Sequence, residues 1–216
     1  MGTEQAVARA LIFGSAPCGD WSFLAPYLEE GGWTVFCADG GVKNARYAGL
    51  EPDYLIGDWD SGGAPEAGVP SLTLPAEKDM TDLQAAAGQA IALGAKTLLL
   101  CGCTGGRLDH TASNLVLLEW IHGHGGTGII ADPDNEVRFL DGGRLRLENV
   151  PAFRYLSLIP LDRTVSGVCL RGVKYPLEQA GLRRGDTLPV SNEFAGPAAE
   201  ITVGSGRVLV IRSQRI

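Results

Sequence analysis

The chain has 216 residues, of which 45% are hydrophobic and 20% charged, and it contains five cysteines. This length holds one large domain or two small ones, and the composition is that of a globular protein with a buried core. No apolar stretch approaches the roughly 20 residues of a membrane-spanning helix, and the short apolar run near the N-terminus argues against a signal peptide. Because an odd number of scattered cysteines argues against a disulfide framework, we expect a cytoplasmic protein with reduced thiols.

The net charge of −7 is distributed unevenly along the chain. Residues 1–142 carry 7 basic and 19 acidic side chains, a balance of −12, whereas residues 143–216 carry 11 and 6, a balance of +5. This asymmetry predicts two parts with different functions, with a boundary near Asp141-Gly142-Gly143. The acidic part is poorly suited to nucleic acid, but its carboxylates are suited to holding cations and, through them, phosphates.

Strands and helices alternate through residues 1–142. Short apolar runs predict strands at 10–13, 33–38, 54–56, 71–74, 97–100, 128–131 and 137–140. Capped or periodic stretches predict helices at 21–30, 42–48, 81–94 and 109–122. This alternation predicts an α/β fold with a Rossmann-like, mostly parallel sheet that carries helices on both faces.

Acidic side chains follow the predicted strands or begin the next helix. They are Asp39, Asp58, Asp60 and Asp109 at strand ends, and Asp79 and Asp82 at a helix start. Ligands of open α/β sheets bind at the carboxyl ends of the strands, and carboxylates that converge there repel one another unless cations join them. Mg²⁺ is favoured because it takes oxygen ligands and shares them with phosphates. Each aspartate taken singly is as well explained by a turn or a helix cap.

The segment from Cys101 to Leu118 holds a second group of candidates. A turn with three glycines precedes an apolar-periodic helix, and a cation stands at the junction. The candidates are Thr104, Gly105, Gly106, Arg107, Asp109 and His110. Glycine turns admit close backbone approach, and a helix N-terminus beside a cation predicts a phosphate site. The alternative is a plain helix cap with a surface arginine.

Two further features of the first part leave alternatives open. Lys78 precedes a capped helix and either reaches a bound phosphate or is a solvated loop lysine. Cys101 and Cys103 have a C-x-C spacing without a second Cys/His pair nearby, which argues against zinc.

Residues 143–216 alternate in polarity and predict strands without a convincing helix, so we expect a small all-β domain of sandwich or barrel type. Residues 200–203 and 207–211 flank Gly204-Ser205-Gly206 and predict a β-hairpin. Ser191 and Asn192 lie in a polar interruption that is either a turn or a ligand contact.

Segments spread over almost the whole chain resemble the thiamine pyrophosphokinase (thiamine diphosphokinase) family of bacterial type. In the first part they are DGG at 39–41, GDWDS at 57–61, KDMTD at 78–82 and TGGRLDH at 104–110. In the second part they are GVKYPL at 172–177 and SNEF at 191–194. Trp59 replaces a more usual Phe, and 208–211 lacks the aromatic residue that some relatives place against thiamine.

The resemblance implies transfer of a pyrophosphoryl group from ATP to the hydroxyethyl arm of thiamine, with release of AMP. It implies an N-terminal ATP-binding α/β domain (1–142), a C-terminal thiamine-binding β-sandwich (143–216) and a homodimer with active sites between subunits. The residues that it places are Asp58, Asp60 and Asp82 around Mg²⁺ and the triphosphate, Asp39 and Lys78 in the same cluster, Arg107 and Asp109 at nucleotide phosphates or metal, and Ser191 and Asn192 at thiamine.

Two other functions stay open from the residues alone. One is a pyrophosphokinase for another alcohol, such as a hydroxymethylpterin, on the same nucleotide-binding domain. The other is a non-catalytic nucleotide sensor, against which the number of carboxylates argues because binding alone does not need so many.

Overall fold

The computed structural model describes residues 7–58, 68–75, 77 and 79–214. The chain has an α/β fold and divides into two compact units, Met1–Pro133 and Asp134–Ile216. Within the described ranges, no helix has both the length and the hydropathy needed to cross a membrane.

The first unit alternates between strands and helices, as the sequence predicts. Its strands are β1 (Arg9–Phe13), β2 (Trp33–Ala38), β3 (Tyr54–Gly57), β4 (Ser71–Thr73), β5 (Thr97–Cys101) and β6 (Thr127–Ala131). Its helices are α1 (Ala25–Leu28), α2 (Gly41–Tyr47), α3 (Asp82–Ala92) and α4 (Leu108–Gly123). The strands pair in parallel in the order β6-β5-β1-β2-β3-β4.

Both faces of this parallel sheet are largely buried in β1, β2, β3, β5 and β6, whereas the edge strand β4 is exposed. Leu11, Val35 and Leu99 lie in a core cluster that also contains Leu24 before α1 and Ala45 of α2. The alternate strand positions are buried too, and α3 packs against β1, β2 and β3 while α4 packs against β6. Because both faces are covered, these strands read in the sequence as continuous apolar runs rather than as alternating ones.

The helix predicted at 21–30 is broken. A 3-10 turn at Ser22–Leu24 is followed by only one turn of α-helix at Ala25–Leu28. Pro26 explains this division because a proline without an N–H fits the first turn of a helix but cannot continue an earlier one. The positive φ angles of Gly31 and Gly32 then turn the chain toward β2.

The second unit is antiparallel. Its strands are β7 (Asn135–Glu148), β8 (Tyr155–Pro160), β9 (Thr164–Arg171), β10 (Leu177–Arg183), β11 (Asn192–Glu193) and β12 (Ala198–Ser213). The long strand β12 pairs with β7, β8 and β9, β10 pairs with β9, and β11 pairs with β8. Its core is formed by aliphatic side chains such as Leu158, Val168 and Val210.

The hairpin predicted at Gly204-Ser205-Gly206 is wrong. β12 runs straight through these residues, and both halves pair with β7: Val203 faces Gly143, and Arg207 faces Asp141. The pairing register shifts between Val203 and Arg207, so the glycines accommodate a bulge and not a reversal. The segment Asp141-Gly142-Gly143, chosen from the sequence as a boundary, lies inside β7 opposite this bulge.

A buried ion pair joins β7 to β12. Glu136 and Arg212 face each other in the pairing register and are 1% and 8% exposed. Arg212 donates from Nη2 to Glu136 Oε2 at 2.7 Å, and Arg138 donates from Nε to Glu136 Oε1 at 2.8 Å. Burial alone would raise the pKa of Glu136, but the hydrogen bonds and charges of Arg138 and Arg212 outweigh it and lower that pKa to about 2.

Candidate active site

A cavity of about 360 Å³ lies at the carboxyl ends of β1, β2 and β5, within the first unit. Its walls are the loop after β1, the end of β2, the start of α3, the loop after β5 and the first turns of α4. The lining residues are Gly14, Ser15, Ala16, Pro17, Ala38, Asp39, Thr81, Asp82, Leu83, Gly102, Cys103, Gly105, Gly106, Arg107, His110 and Asn114. This is the edge at which open α/β sheets bind their ligands.

Two carboxylates from different elements line the cavity. Asp39 follows β2 with a φ of 47°, and its N–H donates to the Ile56 carbonyl at 2.8 Å. Asp82 is the first residue of α3, behind the N-cap Thr81, whose hydroxyl accepts from the Gln84 N–H at 3.2 Å. The capping pattern predicted from the sequence therefore fixes the helix start that presents Asp82.

The turn after Asp39 depends on a missing side chain at Gly41. A Cβ at this position would lie 2.0 Å from the carbonyl oxygen of Phe13. Only glycine lets the first turn of α2 pack this closely on the end of β1. Gly41 of the DGG segment at 39–41 therefore serves the packing of α2 on β1.

The rim of the cavity carries a guanidinium held by a carboxylate. Arg107 donates from Nε and Nη2 to the two oxygens of Asp109, at 3.1 and 2.6 Å, and both side chains are exposed. The Asp109 carboxylate accepts hydrogen bonds from the Arg107 side chain and from the His110 backbone N–H, and both lower the pKa of Asp109. Arg107 and His110 both line the cavity at the start of the 16-residue helix α4, where a helix dipole favours an anion.

A carboxylate that follows β6 supports the glycine turn. Thr104 donates its hydroxyl proton to Asp132 Oδ2 at 2.7 Å. Beside it, burial and the charge of Asp132 raise the pKa of the Cys103 thiol to about 12. Cys103 lines the cavity, and its thiol stays protonated near neutral pH, so it is a poor nucleophile.

In the second unit, the two predicted thiamine contacts differ in exposure. Ser191 is exposed with a φ of 59°, and its N–H donates to Ser157 Oγ at 2.9 Å. Asn192 is 4% exposed: its Nδ2 donates to the Tyr175 carbonyl at 2.7 Å, and its Oδ1 accepts from the Tyr175 N–H at 3.0 Å. Asn192 therefore fastens the 172–177 segment to the 191–194 segment.

Comparisons with known proteins identify the family of the chain. A family model described as the thiamin pyrophosphokinase catalytic domain matches residues 27–127, and one described as the thiamin pyrophosphokinase vitamin B1 binding domain matches residues 144–208. A thiamine pyrophosphokinase of Bacillus subtilis (strain 168) is 32% identical over 184 residues, which span 81% of this chain and 85% of that protein. The chain belongs to the thiamine pyrophosphokinase family.

Solved structures of the thiamine pyrophosphokinase family share the fold. A thiamine pyrophosphokinase from Bacillus subtilis superposes with a TM-score of 0.85 and 28% identity, over 97% of this chain and 100% of that chain. One from Geobacillus thermodenitrificans gives a TM-score of 0.84 and 30% identity, over 96% and 98%. The resemblance read from the sequence is confirmed.

The cavity brings together many of the residues predicted for a thiamine pyrophosphokinase. Its lining includes Asp39, Asp82, Gly105, Gly106, Arg107 and His110. Thr104 lies in the same loop, whereas Asp58, Asp79 and Asp109 are described residues outside the lining. Asp60 and Lys78 fall outside the described residues. Among the residues that are described, no three His, Cys, Asp or Glu side chains form a group that could hold a metal ion.

Sequence reasoning missed three side chains that support the cavity. Asp132 follows β6 as Asp39 follows β2, so the strand-end rule used for the other aspartates would have found it. Asn44 and Asn114, buried on α2 and α4, gave no signal, because an asparagine within a helix has the same appearance in a sequence whether it is exposed or buried.

Proposed function

We propose that the chain transfers a pyrophosphoryl group from ATP to the hydroxyethyl group of thiamine, giving thiamine diphosphate and AMP. The observation that carries this proposal is the joint lining of one cavity by Asp39, Asp82 and Arg107 in a member of the thiamine pyrophosphokinase family. ATP is the co-substrate, and the chain is a transferase that acts in the biosynthesis of thiamine diphosphate.

The proposed reaction needs alignment and charge neutralisation more than covalent catalysis. Arg107 would exchange its contact with Asp109 for two phosphate oxygens, since a guanidinium binds carboxylate and phosphate with the same paired geometry. The glycine turn at 104–106, with His110 at the start of α4, would surround the nucleotide phosphates, and Asp79 belongs to the same proposed nucleotide-binding set. Lys78 would add a second cation.

A divalent metal, which we propose to be Mg²⁺, fits the donors available. The carboxylates of Asp58, Asp60 and Asp82 are oxygen ligands, which favour a hard cation over a soft one. When bound, such an ion neutralises and polarises the phosphate oxygens. The aspartates would hold it, and one aspartate would accept the proton of the thiamine hydroxyl.

We assign ATP to a Rossmann-like catalytic domain and thiamine to a β-sandwich, with the boundary between Pro133 and Asp134 in place of the residue 142 expected from the sequence. Separate family models for residues 27–127 and 144–208 support this division. Ser191 would contact thiamine directly. Asn192 would form part of the same site and position Tyr175 through its two hydrogen bonds with the Tyr175 backbone. The full proposal is a homodimer with active sites between subunits, in a cytoplasm that keeps all five cysteines as free thiols.

The two other candidate functions are not favoured. A hydroxymethylpterin acceptor does not account for a match of residues 144–208 to a vitamin B1 binding domain. A nucleotide sensor does not require carboxylates from two walls of the cavity.

The test is incubation of the purified chain with ATP, Mg²⁺ and thiamine, with hydroxymethylpterin as a competitor, followed by chromatography of the products. We expect thiamine diphosphate and AMP in equal amounts, without inhibition by the pterin. ADP with thiamine monophosphate would overturn the reaction type. Bound ATP without any product would favour the sensor.

A further inference from the structure

The loop after β1 is tied to helix α2 by one buried side chain. Asn44 is 7% exposed, and its Nδ2 donates to the carbonyl oxygens of Gly14 and Ala16 at 2.7 and 2.8 Å. These two contacts use both hydrogens of the amide nitrogen. Because both carbonyls accept from Asn44, they point toward α2. Gly14 and Ala16 line the cavity, whereas Asn44, also a described residue, lies outside the lining.

The same loop is joined to the loop after β5. The Ala16 N–H donates to the Gly102 carbonyl at 2.8 Å, and the Gly14 N–H donates to the Cys101 carbonyl at 2.8 Å. Gly102 has a φ of 59°, and a Cβ there would lie 2.7 Å from Asn44 Nδ2. The two loops and the Asn44 amide are therefore packed without room for a side chain at position 102.

A second buried asparagine holds the far side of the β5 loop. Asn114 of α4 is 7% exposed, lines the cavity and donates from Nδ2 to the Cys103 carbonyl at 2.7 Å. Because Arg107, His110 and Asn114 are three and four residues apart, they share one face of α4. Asn114 therefore joins α4, which carries Arg107 and His110 at its start, to the loop after β5 that lines the cavity.

We propose that Asn44 and Asn114 are positioning residues for the nucleotide. Asn44 binds the carbonyl oxygens of Gly14 and Ala16 and directs these negative dipole ends away from the phosphates. Asn114 binds the Cys103 carbonyl, and together the two asparagines fix the two loops at the spacing that ATP requires. This inference rests on the proposed use of the cavity for ATP. Neither asparagine takes part in the chemistry, and thiamine binding is independent of both.

The test uses Asn44→Leu and Asn114→Leu, which keep the approximate side-chain volume and remove the amide without adding charge. Asn149→Leu is the control for loss of an amide contact outside the cavity: the exposed Asn149 also donates from Nδ2 to a backbone carbonyl, that of Gly196 at 3.0 Å, but lies in the second unit. The measurements are the Kd of a non-hydrolysable ATP analogue with Mg²⁺ by calorimetry, the KM values for ATP and thiamine, and the thermal unfolding midpoint.

We expect Asn44→Leu to raise the Kd for the analogue and the KM for ATP about tenfold or more, since small displacements of binding groups carry large penalties. Asn114→Leu should act in the same direction. In both variants the KM for thiamine should stay within about twofold of the wild-type value. Asn149→Leu should change neither the Kd for the analogue nor the KM for ATP or thiamine. A lower unfolding midpoint with an unchanged Kd would overturn the proposal and leave a purely structural role.

Two further outcomes are decisive. If Asn44→Leu fails to fold, Asn114→Leu, which loses one hydrogen bond, decides the proposal by the same Kd comparison. If the wild-type chain binds the analogue but makes no thiamine diphosphate, the proposed function is wrong. The positioning roles of Asn44 and Asn114 are then decided by the Kd values alone. A wild-type chain that binds no analogue overturns both.

Discussion

Arg107 and Asp109 hold each other through two hydrogen bonds at the start of α4, with Arg107 lining the cavity and Asp109 outside its lining. The guanidinium is therefore already oriented in the free protein, with its paired N–H groups bound to an oxyanion. A phosphate offers the same pair of acceptors, so the contact resembles the one that ATP would make.

Arg107→Lys should lower kcat/KM for ATP roughly 10- to 100-fold, because lysine keeps the charge but loses the two parallel donors. Arg146→Lys is the control: Arg146 is an exposed arginine that pairs with Glu148 and Glu200 in the second unit. Steady-state kinetics with ATP varied at saturating thiamine measure the effect. Equal kcat/KM values for Arg107→Lys and wild type would remove Arg107 from the phosphate site.

Asp58→Asn and Asp60→Asn should each abolish turnover while the fold stays intact, because an amide is a weaker ligand than a carboxylate for a hard cation. Asp82→Asn, which changes a carboxylate that lines the cavity, should do the same. Turnover is measured across a Mg²⁺ titration, and circular dichroism reports the fold. A wild-type rate at saturating Mg²⁺ in any of the three variants would disprove that residue's metal role.

Glu136→Gln should lower the free energy of unfolding by about 3 kcal/mol at pH 7, because it leaves Arg212 buried with a neutral partner. The pKa of Glu136 is lowered from 4.5 to about 2 in the folded chain, so its ionised form stabilises the fold fully above pH 4.5. That contribution is lost as the pH falls toward 2, and the difference between wild type and variant should shrink over this window.

Urea unfolding at a series of pH values measures this difference. Glu200→Gln is the control, since Glu200 of β12 likewise pairs with an arginine across the β7–β12 ladder, Arg146 at 3.3 Å, but is exposed. An exposed pair contributes about 0–1 kcal/mol, with little dependence on pH. A Glu136→Gln variant as stable as wild type at pH 7 would show that the buried pair contributes nothing net.

Cys18 should be the first thiol to react with a disulfide reagent at pH 8. It is partly exposed, whereas burial raises the pKa of Cys37 and Cys103 to about 12 and that of Cys101 well above its ordinary value. Because the thiolate is the reactive form, these three should react only when the chain unfolds. Cys18→Ser should remove the fast phase of the reaction, and a fast phase that persists in this variant would refute the assignment.

Much of the first unit was predictable because its strands are buried on both faces and so stand out as apolar runs. The rule that places ligands at the strand ends located Asp39, and the Thr81 cap located Asp82. The hairpin at 204–206 was mispredicted because a glycine-rich bulge and a glycine turn have the same local composition. Only the pairing of Val203 and Arg207 with one strand, β7, distinguishes them.

The side chains that support the cavity were not predictable in the same way. Asn44 donates to carbonyl oxygens that lie 28 and 30 positions earlier in the chain. Asn114 donates to a carbonyl oxygen that lies 11 positions earlier. These contacts exist only after the loops and helices have packed. Residue type and local periodicity carry no information about them.

The central claim is tested most directly by following the phosphorus atoms of ATP. The chain is given thiamine, Mg²⁺ and ATP labelled at either the α- or the γ-phosphorus, and the products are separated in a single turnover. Pyrophosphoryl transfer places the γ label in thiamine diphosphate and the α label in AMP. Release of the γ label as free phosphate, or its appearance in thiamine monophosphate, would contradict the account.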